Sequence, residues 1–332
     1  MQETKRNINP DVFMKNPEVI IEDITVEENN TTTATEKEKP VINIESLSKT
    51  TDTKTPTETA NVAKVKDRGN GLTDVISFKH LTQIFNKGQE NEYQLFKDFS
   101  LDIKDFAGTF QSICVMGASG CGKSRLMRVL CHLDDVDEGT VEVYGKTDYP
   151  SIPCVFQSYS NFEWMTVLEN IMLPMKVRGI SKEDAEKKAY ELLELIDMKD
   201  KANLYPSRLS GGQQQRISIA RALACDSQII VLDEATSALD VQMKRQIQNT
   251  ILKILYEYDK DPTIIAITHN IEEALYTANQ IIILKPNPCT VHMKLDIHYP
   301  GEETRERGEW IFETPEYVEY TKILTKAMEE IC

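Results

Sequence analysis

Phe110-Gln111-Ser112-Ile113-Cys114-Val115-Met116 runs directly into Gly117-Ala118-Ser119-Gly120-Cys121-Gly122-Lys123-Ser124, and this junction decides the fold. The first part is a near-continuous apolar run stopped by a glycine, the pattern of a strand buried on both faces. The second part matches GxxxxGK[ST], which cradles phosphates when it lies between a strand and a helix. A helical pattern follows from Lys123 to about Leu133, so the context is correct. Glycine lets successive N–H groups curl around phosphate oxygens, and the helix N-terminus adds partial positive charge. Lys123 is placed to reach the β- and γ-phosphates of a nucleotide, and the Ser124 hydroxyl suits Mg²⁺.

Downstream, Ile229-Ile230-Val231-Leu232-Asp233-Glu234 is an apolar strand that delivers two carboxylates at its C-terminal edge. In a parallel sheet they face the phosphate loop, Asp233 toward a hydrated metal and Glu234 toward an attacking water. His269 closes the apolar run Ile264 to Thr268 and is read as a γ-phosphate contact. Gln157, after Cys154-Val155-Phe156, is a neutral side chain able to bond both metal and water. Ahead of the loop, Phe85 offers an aromatic face for adenine; Tyr93 is the competing candidate, and core packing is the alternative for both. Leu209-Ser210-Gly211-Gly212-Gln213 is a second glycine-rich cradle. It is expected to lie too far from the first to reach the same nucleotide within one subunit, and two copies facing head to tail would solve that problem.

Strand patterns at Val75–Phe78, Gln94–Ile103, Phe110–Met116, Ile229–Leu232, Thr263–Ile267 and Ile281–Leu284 alternate with helical ones. The reading is an α/β fold with a mainly parallel sheet core. Ser181 and Asp184 open an amphipathic helix over 181–198 in capping-box fashion, with Asp in place of Glu. Thr314-Pro315-Glu316 reads as N-cap, N1 proline and acidic first turn of a helix to about Ile331. Residues 1–70, rich in Thr, Glu and Lys, are read as a disordered polar tail.

The chain has 332 residues, 40% hydrophobic, with a formal net charge of -15. Such acidity opposes a role on nucleic acid, where clustered Lys and Arg must displace counterions. Its seven cysteines are scattered without a CxxC pair, as expected of reduced thiols in a cytosol-like compartment. No apolar run approaches the roughly 18 to 20 residues that span a bilayer, so any membrane role requires a partner.

With these residues in view, the chain resembles the ATP-binding subunit of ABC transporters over roughly residues 75–330. The motifs appear in family order: the P-loop 117–124, a Q-loop at Gln157 and the signature LSGGQQQR from Leu209 to Arg216. Walker B follows at 229–234, then a D-loop Ser237-Ala238-Leu239-Asp240 and a switch His269. The segment Trp164–Asn170 and the stretch from Thr314 onward are similar to importer ATPases of the nitrate/sulfonate/taurine type. Three positions depart from the pattern: Arg125 stands where a Thr commonly follows GKS, Ala235-Thr236 where that group has Pro-Phe, and Asn270 where Asp often follows the His.

The resemblance implies a P-loop NTPase of ABC type, with an antiparallel β subdomain and a helical insert over about 158–208. It implies hydrolysis of ATP with Mg²⁺. Catalytic roles fall to Glu234, His269, Gln157 and Lys123, and metal contacts to Ser124, Gln157 and Asp233. Nucleotide contacts fall to Phe85, Gly117, Ala118, Ser119, Gly120, Cys121, Gly122, Lys123, Ser124 and Arg125. The opposing cradle of Ser210, Gly211, Gly212 and Gln213, with Asp240, completes the set. Implied partners are a second ATPase subunit, identical or related, and an integral membrane permease docking near Phe162–Thr166. A solute-binding protein would act through the permease. The chain would then sit on the cytoplasmic face of the cell membrane and energise import of a small solute. The rival expectation is a soluble or membrane-associated ABC ATPase driving a non-import process such as lipoprotein release, export or a division-type machine.

Overall fold

The computed structural model describes residues 74–104, 110–302 and 304–331; the tail expected over 1–70 lies outside them. The elements begin with strands β1 (Asp74–Phe85), β2 (Tyr93–Lys104) and β3 (Ser112–Gly117), helix α1 (Lys123–Leu130), and strands β4 (Glu138–Val143) and β5 (Cys154–Val155). Helices α2 (Val167–Val177), α3 (Lys182–Leu195) and α4 (Gly211–Ala224) follow. The chain continues through β6 (Ile229–Asp233), α5 (Val241–Glu257), β7 (Thr263–Ile267), α6 (Ile271–Thr277), β8 (Gln280–Lys285), β9 (Thr290–Asp296) and α7 (Pro315–Ile331).

Two sheets form, a β2-β1-β4 sheet and a six-stranded sheet in the order β5-β6-β7-β3-β8-β9. The small sheet is antiparallel throughout. In the large one every pair is parallel except β8–β9. The central strands are apolar on both faces because both faces are covered. Along β3, Cys114 and Met116 join the core under the helices, whereas Ile113 and Val115 join the core shared with the small sheet and α1. The same alternation divides Ile230 and Leu232 from Ile229 and Val231 on β6, and Ile281 and Ile283 from Ile282 and Leu284 on β8. A period of two on a doubly covered sheet thus builds two cores from one set of strands.

Register aligns the functional strand ends. Val115 pairs with Ile267 and Ile267 with Asp233, so three parallel strands end at one edge. The glycine that follows must bend sharply there: Gly117 has φ 147, and a Cβ on it would lie 2.3 Å from the Leu284 carbonyl oxygen. Helix α1 is shorter than its sequence pattern suggests. It ends at Leu130, with Cys131 as C-cap, and His132 turns away with φ 56. Helix α3 starts as read, with the Asp184 N–H donating to Ser181 Oγ at 3.1 Å, but ends at Leu195 because Asp197 adopts φ 56.

Candidate active site

The phosphate loop sits between the two sheets' edges. Leu95 and Phe96 of β2 pack so closely on Gly122 that a Cβ there would meet them at 3.1 and 3.2 Å, which fixes the small sheet against the loop. The cleft so formed, about 520 Å³, is lined by Phe85, Tyr93 and Leu95 from the small sheet and by the loop's glycines, Ser119, Lys123, Ser124 and Arg125. Glu234 and His269 close its far side. Both aromatic candidates are present, because Phe85 and Tyr93 are directly paired across β1 and β2. Ala118 and Cys121 are absent from the lining. The Cys121 side chain is fully buried.

Lys123 is buried, and its ammonium donates to the Gly117 and Ala118 carbonyl oxygens at 2.8 and 2.9 Å. Arg125 is engaged sideways. Its guanidinium pairs with Asp134 at 2.8 Å, donates to Gln83 Oε1 at 3.2 Å and to the Asp135 carbonyl at 3.0 Å, and lies 5.3 Å from the Phe85 ring centroid. Asp134 also receives Arg128 at 2.7 Å. The departure at position 125 therefore braces an aromatic side chain of the cleft and joins a lateral ion-pair network.

A second cavity of about 760 Å³ adjoins the first and shares Ser124 and Glu234 with it; Phe156, Gln157, Tyr159 and Asp233 line the rest. Across it the Ser124 hydroxyl donates to Asp233 Oδ1 at 3.0 Å. Burial pushes the Asp233 carboxyl above its ordinary range, and the neighbouring Glu234 charge adds to this; the Ser124 hydrogen bond and the Lys123 and Arg128 charges oppose it. A hydroxyl, a carboxylate and an amide oxygen within one cavity are hard oxygen ligands of the kind Mg²⁺ takes alongside substrate phosphates. Among the described residues no cluster of three or more His, Cys, Asp or Glu side chains could hold a metal alone. Together with substrate phosphate oxygens, these hydroxyl, carboxylate and amide donors fit Mg²⁺.

Glu234 stands at the end of β6 in the left-handed region, φ 48, a strain of order 1–3 kcal/mol that surrounding contacts must hold. Its N–H donates to the Ile267 carbonyl at 3.1 Å, and Ser237 returns to its carbonyl oxygen through both its N–H, at 3.1 Å, and its hydroxyl, at 2.9 Å. The carboxylate lies 3.9 Å from His269 Nδ1.

Ser210, Gly211, Gly212, Gln213 and Asp240 line neither cavity. Ser210 and Gln213 cap helix α4 reciprocally, at 3.4 and 3.1 Å, and Asp240 caps α5 through the Met243 N–H at 2.9 Å. Helix α4 nonetheless touches the Gln157 loop, since buried Gln215 donates to the Phe156 carbonyl at 3.2 Å. Nearby, buried Asn170 gathers the carbonyl oxygens of Phe162, Met165 and Thr166 at 2.9 to 3.1 Å and accepts the Phe162 N–H. It fixes a turn from which Trp164 projects, 72% exposed.

Sequence reading met Gln215 and Asn170 only as members of motifs and assigned them no role, and it passed over Glu273. Glu273 is a buried carboxylate that takes hydroxyl hydrogen bonds from Thr236 and Thr268; burial pushes its carboxyl up while those bonds pull it down. Its only local signal is the Asn270-x-x-Glu273 spacing of a helix start.

Comparison with known proteins identifies relatives of this chain. The family described as ABC transporter matches residues 96–237. The nitrate import ATP-binding protein of a Synechocystis species is 34% identical over 70% of this chain and 88% of its own length. The aliphatic sulfonates import ATP-binding protein of Bacillus subtilis is 35% identical over 63% of this chain and 85% of its own. A solved dimer, a post-hydrolysis state of an ATP-binding cassette bound to ADP and Pi, superposes with a TM-score of 0.56 at 30% identity; it covers 68% of this chain and 99% of the solved one.

Proposed function

The chain belongs to the ABC transporter family of ATP-binding subunits, and on that premise we propose that it hydrolyses ATP to energise a separate membrane permease that imports a small solute. The observation that carries this reading is the division of the motifs. Lys123, Ser124, Asp233, Glu234, Gln157 and His269 meet around two adjoining cavities, whereas Ser210–Gln213 and Asp240 line neither. A second subunit, facing head to tail, supplies the missing cradle, as the dimeric relative with ADP and Pi supports.

Within each half-site, Phe85 and Tyr93 flank the adenine and the loop's glycines receive the phosphates. Lys123 exchanges its carbonyl partners for phosphate oxygens and neutralises their charge. Ser124, Asp233 and Gln157 would hold Mg²⁺, which when bound would supply charge neutralisation at the phosphates. Glu234 orients the attacking water and accepts its proton, with His269 beside it to contact the γ-phosphate. Such chemistry depends on positioning and electrostatics rather than on a covalent intermediate.

Among the described residues no helix is long and apolar enough to cross a membrane, so coupling to transport needs a partner. The turn at Phe162–Thr166, with exposed Trp164 beside Phe162 at a 5.3 Å centroid separation, is the docking site for a permease helix. On this reading the subunit sits on the cytoplasmic face of the membrane, with any solute-binding protein reached through the permease. Import is favoured by the nitrate and sulfonate import relatives. ATPase rate measured against protein concentration, together with pull-down of the full chain, tests the reading. Rates per subunit that rise with concentration and a polytopic membrane partner are expected. A fully active monomer defeats the dimer, and a soluble partner favours the rival machine.

A further inference from the structure

The end of β6 carries Glu234 and the end of β7 carries His269, and the two strands leave the sheet into different turns. One buried side chain joins those turns. Thr236 Oγ1 lies 2.7 and 2.8 Å from the two carboxylate oxygens of Glu273, and Thr268 Oγ1 donates to Oε2 at 2.7 Å. Thr268 Oγ1 in turn accepts the Asn270 N–H at 3.1 Å, and the Glu273 N–H donates to Asn270 Oδ1 at 3.1 Å. The hydrogen bonds therefore grip the backbone on both sides of His269 and anchor the turn two residues beyond Glu234.

We infer that Glu273 is a positioning residue for hydrolysis, holding Glu234 and His269 at a fixed mutual placement through Thr236 and Thr268. The inference rests on the ATPase reading above. An apolar side chain would fill this interior site without the desolvation cost of a carboxylate. What the carboxylate adds is direction: two oxygens accept from hydroxyls on two different turns. Glu234 needs such support, because its left-handed backbone, φ 48, persists only where surrounding bonds over-determine it. Glu273 itself lines neither cavity, so its effect on turnover passes through its neighbours. The phosphate loop lies outside this set of bonds, and nucleotide affinity is predicted to be independent of it.

The test compares the full-length wild type with Glu273→Gln, Thr236→Val and the double variant, measuring kcat, ATP affinity and thermal midpoint. A positioning role predicts kcat lowered about tenfold or more in each single variant. ATP affinity stays within about twofold, and the double variant loses no more than the worse single one. Wild-type kcat in Glu273→Gln overturns the inference, as does a loss of affinity and thermal midpoint together with unchanged turnover per folded molecule. Should Glu273→Gln fail to fold, Thr236→Val keeps the carboxylate and its Thr268 bond and decides by the same readings. The NMR signal of the His269 ring adds a readout independent of turnover: it shifts in both single variants, and an unmoved signal overturns the inference. A wild type without ATPase activity instead defeats the function reading, and the His269 signal still decides this one.

Discussion

The Ser124 hydroxyl donates to Asp233 Oδ1 at 3.0 Å, bridging the start of the loop helix α1 and the end of β6, a strand separated from β3 by β7. Residues 109 positions apart thus share one small cavity. If they share a metal there, Ser124→Ala lowers Mg²⁺-dependent turnover by on the order of 100-fold. Asp233→Asn shifts the Mg²⁺ requirement upward. Steady-state ATPase rates across a Mg²⁺ titration check both; an unaltered titration in Asp233→Asn contradicts the assignment.

Glu234 is the proposed base, 3.9 Å from His269. Glu234→Gln keeps the shape and removes the proton acceptor. The expected outcome is retained ATP binding, turnover reduced by about 100-fold or more, and accumulation of an ATP-bound dimer visible by light scattering. Hydrolysis at the wild-type rate would remove Glu234 from that role.

Phe85 and Tyr93 face each other in register, and the Arg125 guanidinium lies 5.3 Å from the Phe85 ring centroid. A braced ring loses less freedom on stacking than the 37% exposed Tyr93. Phe85→Ala is expected to weaken ATP binding by about 1–3 kcal/mol, and Tyr93→Ala by less. Titration with a fluorescent ATP analogue ranks them, and the reverse order reassigns the adenine contact to Tyr93.

Gly211 opens α4 against Tyr159, and a Cβ on it would lie 2.2 Å from the Tyr159 hydroxyl oxygen. Since Gly211 lines neither cavity, Gly211→Ala leaves ATP binding by the single subunit intact. The exposed Tyr159 hydroxyl can swing aside, so the effect falls on the methyl group added to the cradle offered to the opposing subunit, which lowers turnover by on the order of 100-fold and weakens ATP-driven dimerisation. Loss of monomer affinity in equilibrium dialysis would show that the cradle acts within its own chain.

Buried Arg307 pairs with half-buried Glu302, also reaches the Ala278 carbonyl, and donates its backbone N–H to Tyr256 Oη at 2.9 Å. Burial alone raises the Glu302 carboxyl, but the Arg307 charge and hydrogen bonds from His298, Arg307 and the Tyr299 N–H outweigh it and hold the carboxyl at about 2 against an ordinary 4.5. With the folded value depressed, the pair's stabilisation is full above pH 4.5 and fades as pH falls toward 2. Glu302→Gln leaves a buried guanidinium unpaired and is expected to cost about 3–5 kcal/mol at neutral pH. It also flattens the acid limb of a denaturation series; an unchanged acid limb contradicts the pairing.

The positions that act locally were readable along the chain. The loop 117–124, the carboxylates at 233–234 and His269 each end a hydrophobic run of recognisable period, and parallel register carries them to one edge. Other features depended on neighbours distant in sequence. Nothing beside Arg125 announces that it would turn to Asp134 and Phe85. Asn170 looks like an ordinary helix residue until its amide is seen to collect the carbonyls that set Trp164 outward.

By itself the sequence determined the strands and helices of strong period and the phosphate loop between a strand and a helix, while the partly exposed β4 and β9 carried too weak a pattern to be read. Period and spacing are properties of consecutive residues, and they encode that much. Tertiary structure alone decided which polar side chains hold the site in place: the Ser124–Asp233 bridge, the Glu273 clamp around His269, and the Glu302–Arg307 pair. A buried polar group is stable only beside a partner of matching geometry, and that partner is chosen by the folded chain, not by the residues next to it in line.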